Sequence, residues 1–421
     1  MGADFHLKPE PKKIFLMKTY ELAIIGAGPA GLMAAISAAP IKKSIILLEK
    51  NEFIGRKIFT TGNGRCNLTN KNISAKRYHG ASEAFIKSIL GKFDQHQTIN
   101  FFESLGVALK EEDHGRIFPR SNQASTIVEA LKYALEESKI TIKTNTTVKS
   151  VYKSNDFLIK TEDGQSFEAK KVILSTGGKA AFQFGSSGDG IYWASKFGHN
   201  IIPIFASLVP IETRQSWVKE VQGIKIEAKI TTKVDNETIY ESFGDCLFTD
   251  FGLSGPAVMA QAGKISPLLN NNLVKICIDL YPEITEQVLS QKIEQIFKKS
   301  SSRTLLISLL GLFPSKLVPV ILSLAGLDQN TKVSEISIND RLKIVHCIKN
   351  AELSVKKVRP LKEAQVSRGG IDTTEIDQNT LESRLIKGLY FAGEIMDVDG
   401  DSGGFNLQWA WSSGFVSGKA G

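Results

Sequence analysis

The residues with the clearest chemical capacity are Gly26-Ala27-Gly28-Pro29-Ala30-Gly31 and, eighteen positions on, Glu49. Each glycine has a mechanical use. Gly26 allows a tight turn, Gly28 lets backbone approach a pyrophosphate, and Gly31 lets a helix pack closely on a strand. Glu49 is placed to accept hydrogen bonds from a ribose diol. Further along, His114, Arg116 and Arg120 in HGRIFPRS offer substrate-binding or proton-donating groups, against the plainer reading of a loop without chemistry. His199 reads as a packed residue. Asp397, Asp399 and Asp401 alternate around Gly400 like a calcium loop but lack the later bidentate glutamate, so no metal site is assigned; a solvated or cofactor-adjacent loop is expected.

The elements that must position these groups are legible nearby. Tyr20 to Ile25 is an apolar run of strand length, leading through the glycines into an Ala/Leu/Met helix that must stop near Pro40. Ser44 to Glu49 is a second buried strand. Thr146 to Thr176 reads as a β-meander turning at Asp163-Gly164 and ending before Ser175-Thr176-Gly177-Gly178. Near the end, Gly388 to Glu394 is another apolar strand. Gly403-Gly404-Phe405-Asn406-Leu407-Gln408 then opens a helix of small residues and tryptophan, whose backbone N–H groups can face an anion. Both ends of the chain therefore build one cofactor site, with the middle inserted. The glycine fingerprint alone does not separate FAD from NAD.

A chain of 421 residues, 42% hydrophobic and 23% charged, exceeds what one core usually fills, so two or more domains are expected. Disorder, collagen and a disulfide-stapled miniprotein are excluded by composition. Cys66, Cys246, Cys277 and Cys347 are scattered without a C-x-x-C pair, which points to a reducing cytoplasm. The apolar run within residues 1–17 is too short for a secretory signal, and this stretch reads as an extension. Leu22 to Ile41 lacks charge for a membrane-span length, but its glycines argue for strand, turn and helix. The net charge of +8 is a mild excess that keeps a polyanionic partner such as RNA in view.

Four stretches resemble a known family: GAGPAGLMAA from Gly26, GRKIFTTGNGRCNLTN from Gly55, STGGKAAFQFGSSGDGIYWASKFGH from Ser175, and EAQVSRGGI through GLYFAGEIMDVDGDSGGFNLQWAWSSG from Glu363. They are similar to the bacterial NAD(P)/FAD-dependent oxidoreductases grouped around aminoacetone-oxidase-like and bile-acid-reductase-like (BaiN-type) flavoproteins, which include a ribosomal RNA dihydrouridine synthase-like branch. The resemblance implies an α/β fold: a discontinuous Rossmann-like FAD-binding domain (18–198 and 356–421) with an inserted β-rich domain (199–283) and a helical cap (284–355). The sequence agrees, with alternating stretches at Ile224 to Thr232 and Val274 to Leu280. Helical segments follow, interrupted at Lys299 to Ser302 and by Pro314 and Pro319.

By the same resemblance, Gly26, Gly28, Gly31 and Glu49 hold the ADP half of FAD. Arg56, Lys57, Gly64, Arg65, Cys66 and Asn67 run along the flavin. Glu394 reaches the ribityl or pyrophosphate region, and Asn406 and Leu407 lie near the pyrimidine edge. Pro29, Ala30, Lys50, Thr176, Gly177, Gly178, Gly393, Gly404 and Phe405 complete the expected contact set. Cys66 is the sharpest catalytic candidate, as an acid or redox relay favoured by Arg65, against the plainer reading of a small residue filling space. His114 and Arg116 join it as catalytic candidates.

No second strand–glycine–helix unit is seen, so NAD(P)H is expected to dock transiently against the flavin. The first functional expectation is hydride transfer to an activated carbon, such as a conjugated C=C bond in a ribosomal RNA uridine or an enone-like small molecule. The alternatives are a small-amine or aminoketone oxidase releasing peroxide, and an FAD-bound RNA-binding protein without turnover. No stable membrane association is expected.

Overall fold

The computed structural model describes residues 19–299 and 301–421; the expected extension at residues 1–17 lies outside them. The strand Thr19–Ile25 alternates its apolar side chains between two cores. Leu22 and Ile24 pack with Met33 and Trp411, while Ala23 and Ile25 pack with Leu174 and Phe391. Burial on both faces is what a near-continuous apolar run requires. This strand lies between Ile45–Leu48 and Ser166–Leu174, parallel to both. Thr141–Lys143 and Leu389–Phe391 extend the parallel set, and the meander Val148–Lys153, Phe157–Thr161 and Ser166–Leu174 completes the sheet. The last-used strand thus comes from near residue 390, as a discontinuous domain demands.

The helix Pro29–Ala38 and the terminal helix Phe405–Ala420 cross at backbone contact. A Cβ on Gly414 would fall 2.3 Å from the Ala30 carbonyl oxygen, and one on Gly418 would fall 2.3 Å from that of Ala34. Glycine four residues apart lets the two backbones touch, so the beginning and end of the domain are joined without intervening side chains. The terminal helix is buried nearly all round. Its polar groups are satisfied internally: Trp411 Nε1 donates to the Leu68 carbonyl at 3.0 Å, and Gln408 Nε2 to that of Phe93 at 3.1 Å.

The inserted region is a closed barrel of six strands: Ile211–Thr213, Lys225–Val234, Glu237–Phe248, Gly252–Ser254, Val274–Asp279 and Ala351–Val358. A ribbon of Ile201–Ser207 and Val366–Ile371 connects it to the dinucleotide domain. The helices Glu286–Lys299, Leu305–Leu309, Leu317–Leu324 and Ile338–Lys349 are inserted between the barrel's last two strands in sequence and share its core. The boundary expected at 355/356 therefore falls inside a strand, because the chain returns to the barrel before leaving it. Pro319 does not interrupt a helix as expected. It sits in the first turn of Leu317–Leu324, where a backbone N–H has no intrahelical partner to lose. Among the described residues, no helix is long and apolar enough to cross a membrane.

Candidate active site

One cavity of about 1490 Å³ runs between the dinucleotide domain and the barrel. Its far end is the glycine turn. Gly26 holds φ at +101°, and a Cβ on Gly31 would lie 1.9 Å from the Gly26 carbonyl oxygen. A Cβ on Gly28 would meet nothing within 4 Å, because that position opens into the cavity. The helix Pro29–Ala38 starts at Gly28 without a side-chain cap, which leaves its first amides turned to whatever fills the space. Glu49 is buried at the end of its strand. It accepts the Ala27 N–H at 2.7 Å and the Asn51 N–H at 2.9 Å, which fixes the carboxylate at the cavity wall with lone pairs to spare. Lys50 reaches across to Asp189 at 3.0 Å, and Arg56 donates to the Asn51 side chain at 3.0 Å.

The middle of the cavity is closed by contacts between distant parts of the chain. Lys57 Nζ is 2.6 Å from Glu394 Oε2, and the other oxygen of Glu394 accepts the Ser367 N–H and hydroxyl at 2.8 and 2.9 Å. Gly177 and Thr176 line the same stretch, and the Thr176 hydroxyl is buried with no protein partner. Gly404, with φ at +101°, starts the terminal helix, again without a side-chain cap, and Phe405 and Leu407 line the cavity beside it. Pro29, Ala30 and Gly393 line it as well. Two uncapped helix starts, a buried acid, an unpartnered hydroxyl and a glycine whose missing Cβ leaves open space fit a dinucleotide of the FAD type.

Several expected residues behave differently. Gly31, Gly64 and Gly178 do not line the cavity. Gly31 serves packing, Gly64 serves a turn with φ at +84°, and a Cβ on Gly178 would fall 2.0 Å from the Ser367 hydroxyl that positions Glu394. Asn406 lines the cavity, but its amide is committed to Gly400, accepting its N–H at 2.8 Å and donating to its carbonyl at 2.7 Å. Asn67 lies at the wall, its amide suited to accept from Gly404 and donate to Thr69.

Cys66 is the main correction, for both its catalytic and its cofactor-contact assignments. The loop holds left-handed backbone at Gly62, Asn63, Gly64 and Cys66, which turns neighbouring side chains apart. Cys66 points into the core with no exposed surface and does not line the cavity. Burial pushes its thiol up to about 12, against a hydrogen bond with Thr61 that lowers it. Arg65 goes the other way, to Glu112 at 2.9 and 3.0 Å and over the Phe118 ring. The thiol is a packed neutral group, as the plainer reading had it.

His114 and Arg116 line the cavity rim, on a turn with φ at +62° and at the start of Arg116–Pro119. His199 is packed as expected, between Glu375 at 2.9 Å and Ser383 at 2.8 Å; burial lowers its pKa, outweighing the carboxylate. Asp397 and Asp399 are buried rather than solvated. Asp399 holds Arg368 at 2.9 and 3.2 Å, and Asp397 accepts the Gly369 N–H at 3.0 Å.

The near wall was not foreseen. It is the outer face of the barrel hairpin. Alternation sends Ala228, Ile230, Cys246 and Phe248 inward, and turns Lys225, Glu227, Lys229, Glu241, Phe243 and Asp245 toward the cavity. Lys225 pairs with Asp245 at 2.9 Å and Lys229 with Glu241 at 2.8 Å. Phe243 stands 57% exposed among them. The charges at every second position of KIEAK were the available signal, but such a pattern also describes a face in open solvent.

The HI0933-like protein Rossmann-domain profile matches residues 20–420. A 3-dehydro-bile acid delta(4,6)-reductase of Clostridium scindens is 35% identical over 402 residues, covering 95% of this chain and 98% of its own. A ribosomal RNA dihydrouridine synthase of Escherichia coli is 31% identical over 404 residues, covering 95% and 97%. Among solved structures, the 3-ketosteroid delta1-dehydrogenase of Sterolibacterium denitrificans in complex with 1,4-androstadiene-3,17-dione superposes with a TM-score of 0.51 at 13% identity, over 95% of this chain and 98% of that one. That likeness concerns the fold.

Proposed function

The chain belongs to the HI0933-like FAD-binding Rossmann family, and from that premise we propose that it is a reductase adding hydrogen across a carbon–carbon double bond conjugated to a carbonyl, with NAD(P)H as donor. The observation that carries this reading is the single cavity shared by the dinucleotide wall and the barrel hairpin. That cavity gives cofactor and acceptor a common place to meet. When bound, FAD supplies the two-electron chemistry, accepting a hydride from one partner and giving one to another.

The chain's own groups would do the rest. The uncapped helix starts at Gly28 and Gly404 would hold negative charge, Glu49 the ribose, and the Lys57–Glu394 pair would fix the middle of the cofactor. Reduction needs a hydride at the carbon β to the carbonyl and a proton at the α carbon, and NAD(P)H leaves oxidised. His114 and Arg116, at the rim, are the groups to bind the acceptor or bring that proton. One such step would serve both a bile acid delta(4,6)-reductase and a dihydrouridine synthase. The ion pairs on the barrel wall suit a polar acceptor, such as a uridine of ribosomal RNA, and Phe243 among them offers a flat apolar contact to a ring.

Anaerobic mixing of the yellow holoprotein with NADPH or NADH should bleach the flavin. Uridine-containing ribosomal RNA, or a 3-oxo-Δ4 steroid, should then restore the colour. Peroxide release from small amino ketones with no response to either nicotinamide would replace this reading with the oxidase. Failure of every donor would leave an FAD-bound protein without turnover.

A further inference from the structure

Arg77 belongs to no sequence motif and has no assigned role, yet it is held with care. The strand Tyr78–Gly80 pairs with Val398–Gly400, which brings Arg77 and His79 to the same carboxylate. Asp401 forms an ion pair with Arg77 through one oxygen, 3.0 Å from Nε, and meets His79 Nε2 at 2.8 Å on the other. The Asp401 N–H in turn donates to the Arg77 carbonyl at 2.9 Å. The guanidinium rests 4.8 Å from the centroid of the Phe405 ring. Its guanidinium is therefore ion-paired on the Nε side, its terminal N–H groups make no hydrogen bond among the described residues, and the half-exposed side chain lines the cavity.

Its place is the seam between the two walls. Asp401 leads through Ser402 and Gly403 to the start of the terminal helix at Gly404. From the barrel side, Lys264 on the helix Pro256–Leu268 faces Asp401, Asp399, Arg368 and Arg77; burial lowers it to about 8. The other cations of the cavity differ. Arg65 spends its NH1 on Glu112, and Lys57 its ammonium on Glu394. Arg116, at the rim, is built alike, with its Nε on the Asp113 carbonyl at 3.0 Å and its guanidinium 6.0 Å from the centroid of the Phe118 ring. Arg77 differs in pairing with a carboxylate and in standing at the seam, where Asp401 leads into the terminal helix.

We propose that Arg77 anchors a substrate subsite here, its terminal N–H groups binding the carbonyl oxygen of a planar conjugated ligand, with Asp401 and His79 as positioning residues. The assignment rests on the reductase reading above. There, hydride adds at the β carbon, the π pair moves toward oxygen, and a proton at the α carbon restores the carbonyl. A guanidinium stays charged throughout and offers paired donors in a fixed plane to that oxygen. Enones and uracil share this group, so the chemistry alone does not choose between them.

The test uses oxidised holoprotein without turnover. Uridine and 2-cyclohexenone are titrated separately, and binding is read from the flavin difference spectrum and by calorimetry. At least one should bind. Arg77→Gln should weaken that binding by about tenfold, the loss of one charge-assisted contact. Arg77→Lys should fall between, and Asp401→Asn should cost less than Arg77→Gln. FAD content and the flavin midpoint potential should match the wild type. The probe that binds identifies the source of the ligand. Unchanged affinity in Arg77→Gln, or no binding of either probe to the wild type, overturns the proposal. A shifted potential with unchanged affinity also overturns it, placing Arg77 on the cofactor. Failure of NAD(P)H to bleach the flavin is a separate result and sinks the reductase reading instead.

Discussion

The two walls of the cavity are built on opposite principles. The dinucleotide wall is backbone: glycines at contact distance, uncapped helix starts and carboxylates whose every oxygen is engaged. The barrel wall is side chain: two half-exposed lysines paired with one aspartate and one glutamate, with a phenylalanine among them. Backbone cannot rearrange without unfolding, whereas paired long side chains swing at little cost. A fold that must hold one fixed cofactor and admit a second, exchangeable reactant gains from having both kinds of wall.

The contrast is tested hardest at the glycines. Gly31→Ala places a Cβ 1.9 Å from backbone oxygen and should destabilise the protein by about 3 kcal/mol or more, with loss of bound FAD. Gly28→Ala has open space around it, so folding should change by less than about 1 kcal/mol while FAD affinity falls, because the new methyl occupies the cofactor's room. Denaturant melts of the apoprotein, set beside FAD release on heating, separate the two effects. Equal stability loss at both positions would mean that the wall is not the divided structure described here.

This division also explains what could be read from the sequence. The glycine turn and the start of the terminal helix were legible because positive φ or backbone contact leaves almost no other residue type. The TGNGRC loop was legible only through the family resemblance, since two of its left-handed residues, Asn63 and Cys66, are not glycine. Side-chain direction was not. Arg65 and Cys66 are neighbours in sequence, but a left-handed residue sends one to Glu112 and the other into the core. Arg77 carried no local signal, since its partner lies at Asp401. The barrel wall failed for a similar reason. Alternation in Lys225, Glu227 and Lys229 says that one face is polar, but only the docking of two domains says what that face covers. The return of Ala351–Val358 to the barrel was hidden because strand pairing across an inserted helical segment has no local mark.

Behind the dinucleotide wall, charge matters differently from shape. Burial, reinforced by Asp399, raises the Asp397 carboxyl from its ordinary 3.8 to about 6. A carboxyl whose folded pKa exceeds its unfolded one binds its proton more tightly in the native state. Its contribution is therefore most favourable in acid and is lost as pH rises from about 4 through about 6. Asp397→Asn keeps an acceptor for the Gly369 N–H and removes the charge. It should be more stable than the wild type at pH 8, by up to about 3 kcal/mol, with the advantage vanishing near pH 4. Paired urea melts at the two pH values check it. The comparison sharpens if this wall tolerates the loss of a charge at Asp397 but not the gain of a methyl at Gly31.

The smallest stability effect belongs to the barrel. Lys229 and Glu241 keep 44% and 50% of their side chains exposed, so the pair is held in high dielectric and contributes little to folding. Lys229→Ala should shift stability by less than about 1 kcal/mol. Its effect should appear in recognition, because Lys229 lies directly across from Phe243 on the surface that the acceptor meets. The Michaelis constant for the acceptor should rise several-fold while FAD content and the rate of flavin reduction by NAD(P)H stay as they are. Steady-state kinetics and anaerobic reduction, run on the same preparation, give both numbers. A lysine whose loss costs several kcal/mol would place the barrel hairpin among the rigid parts of the molecule, and the two walls would then differ in composition but not in kind.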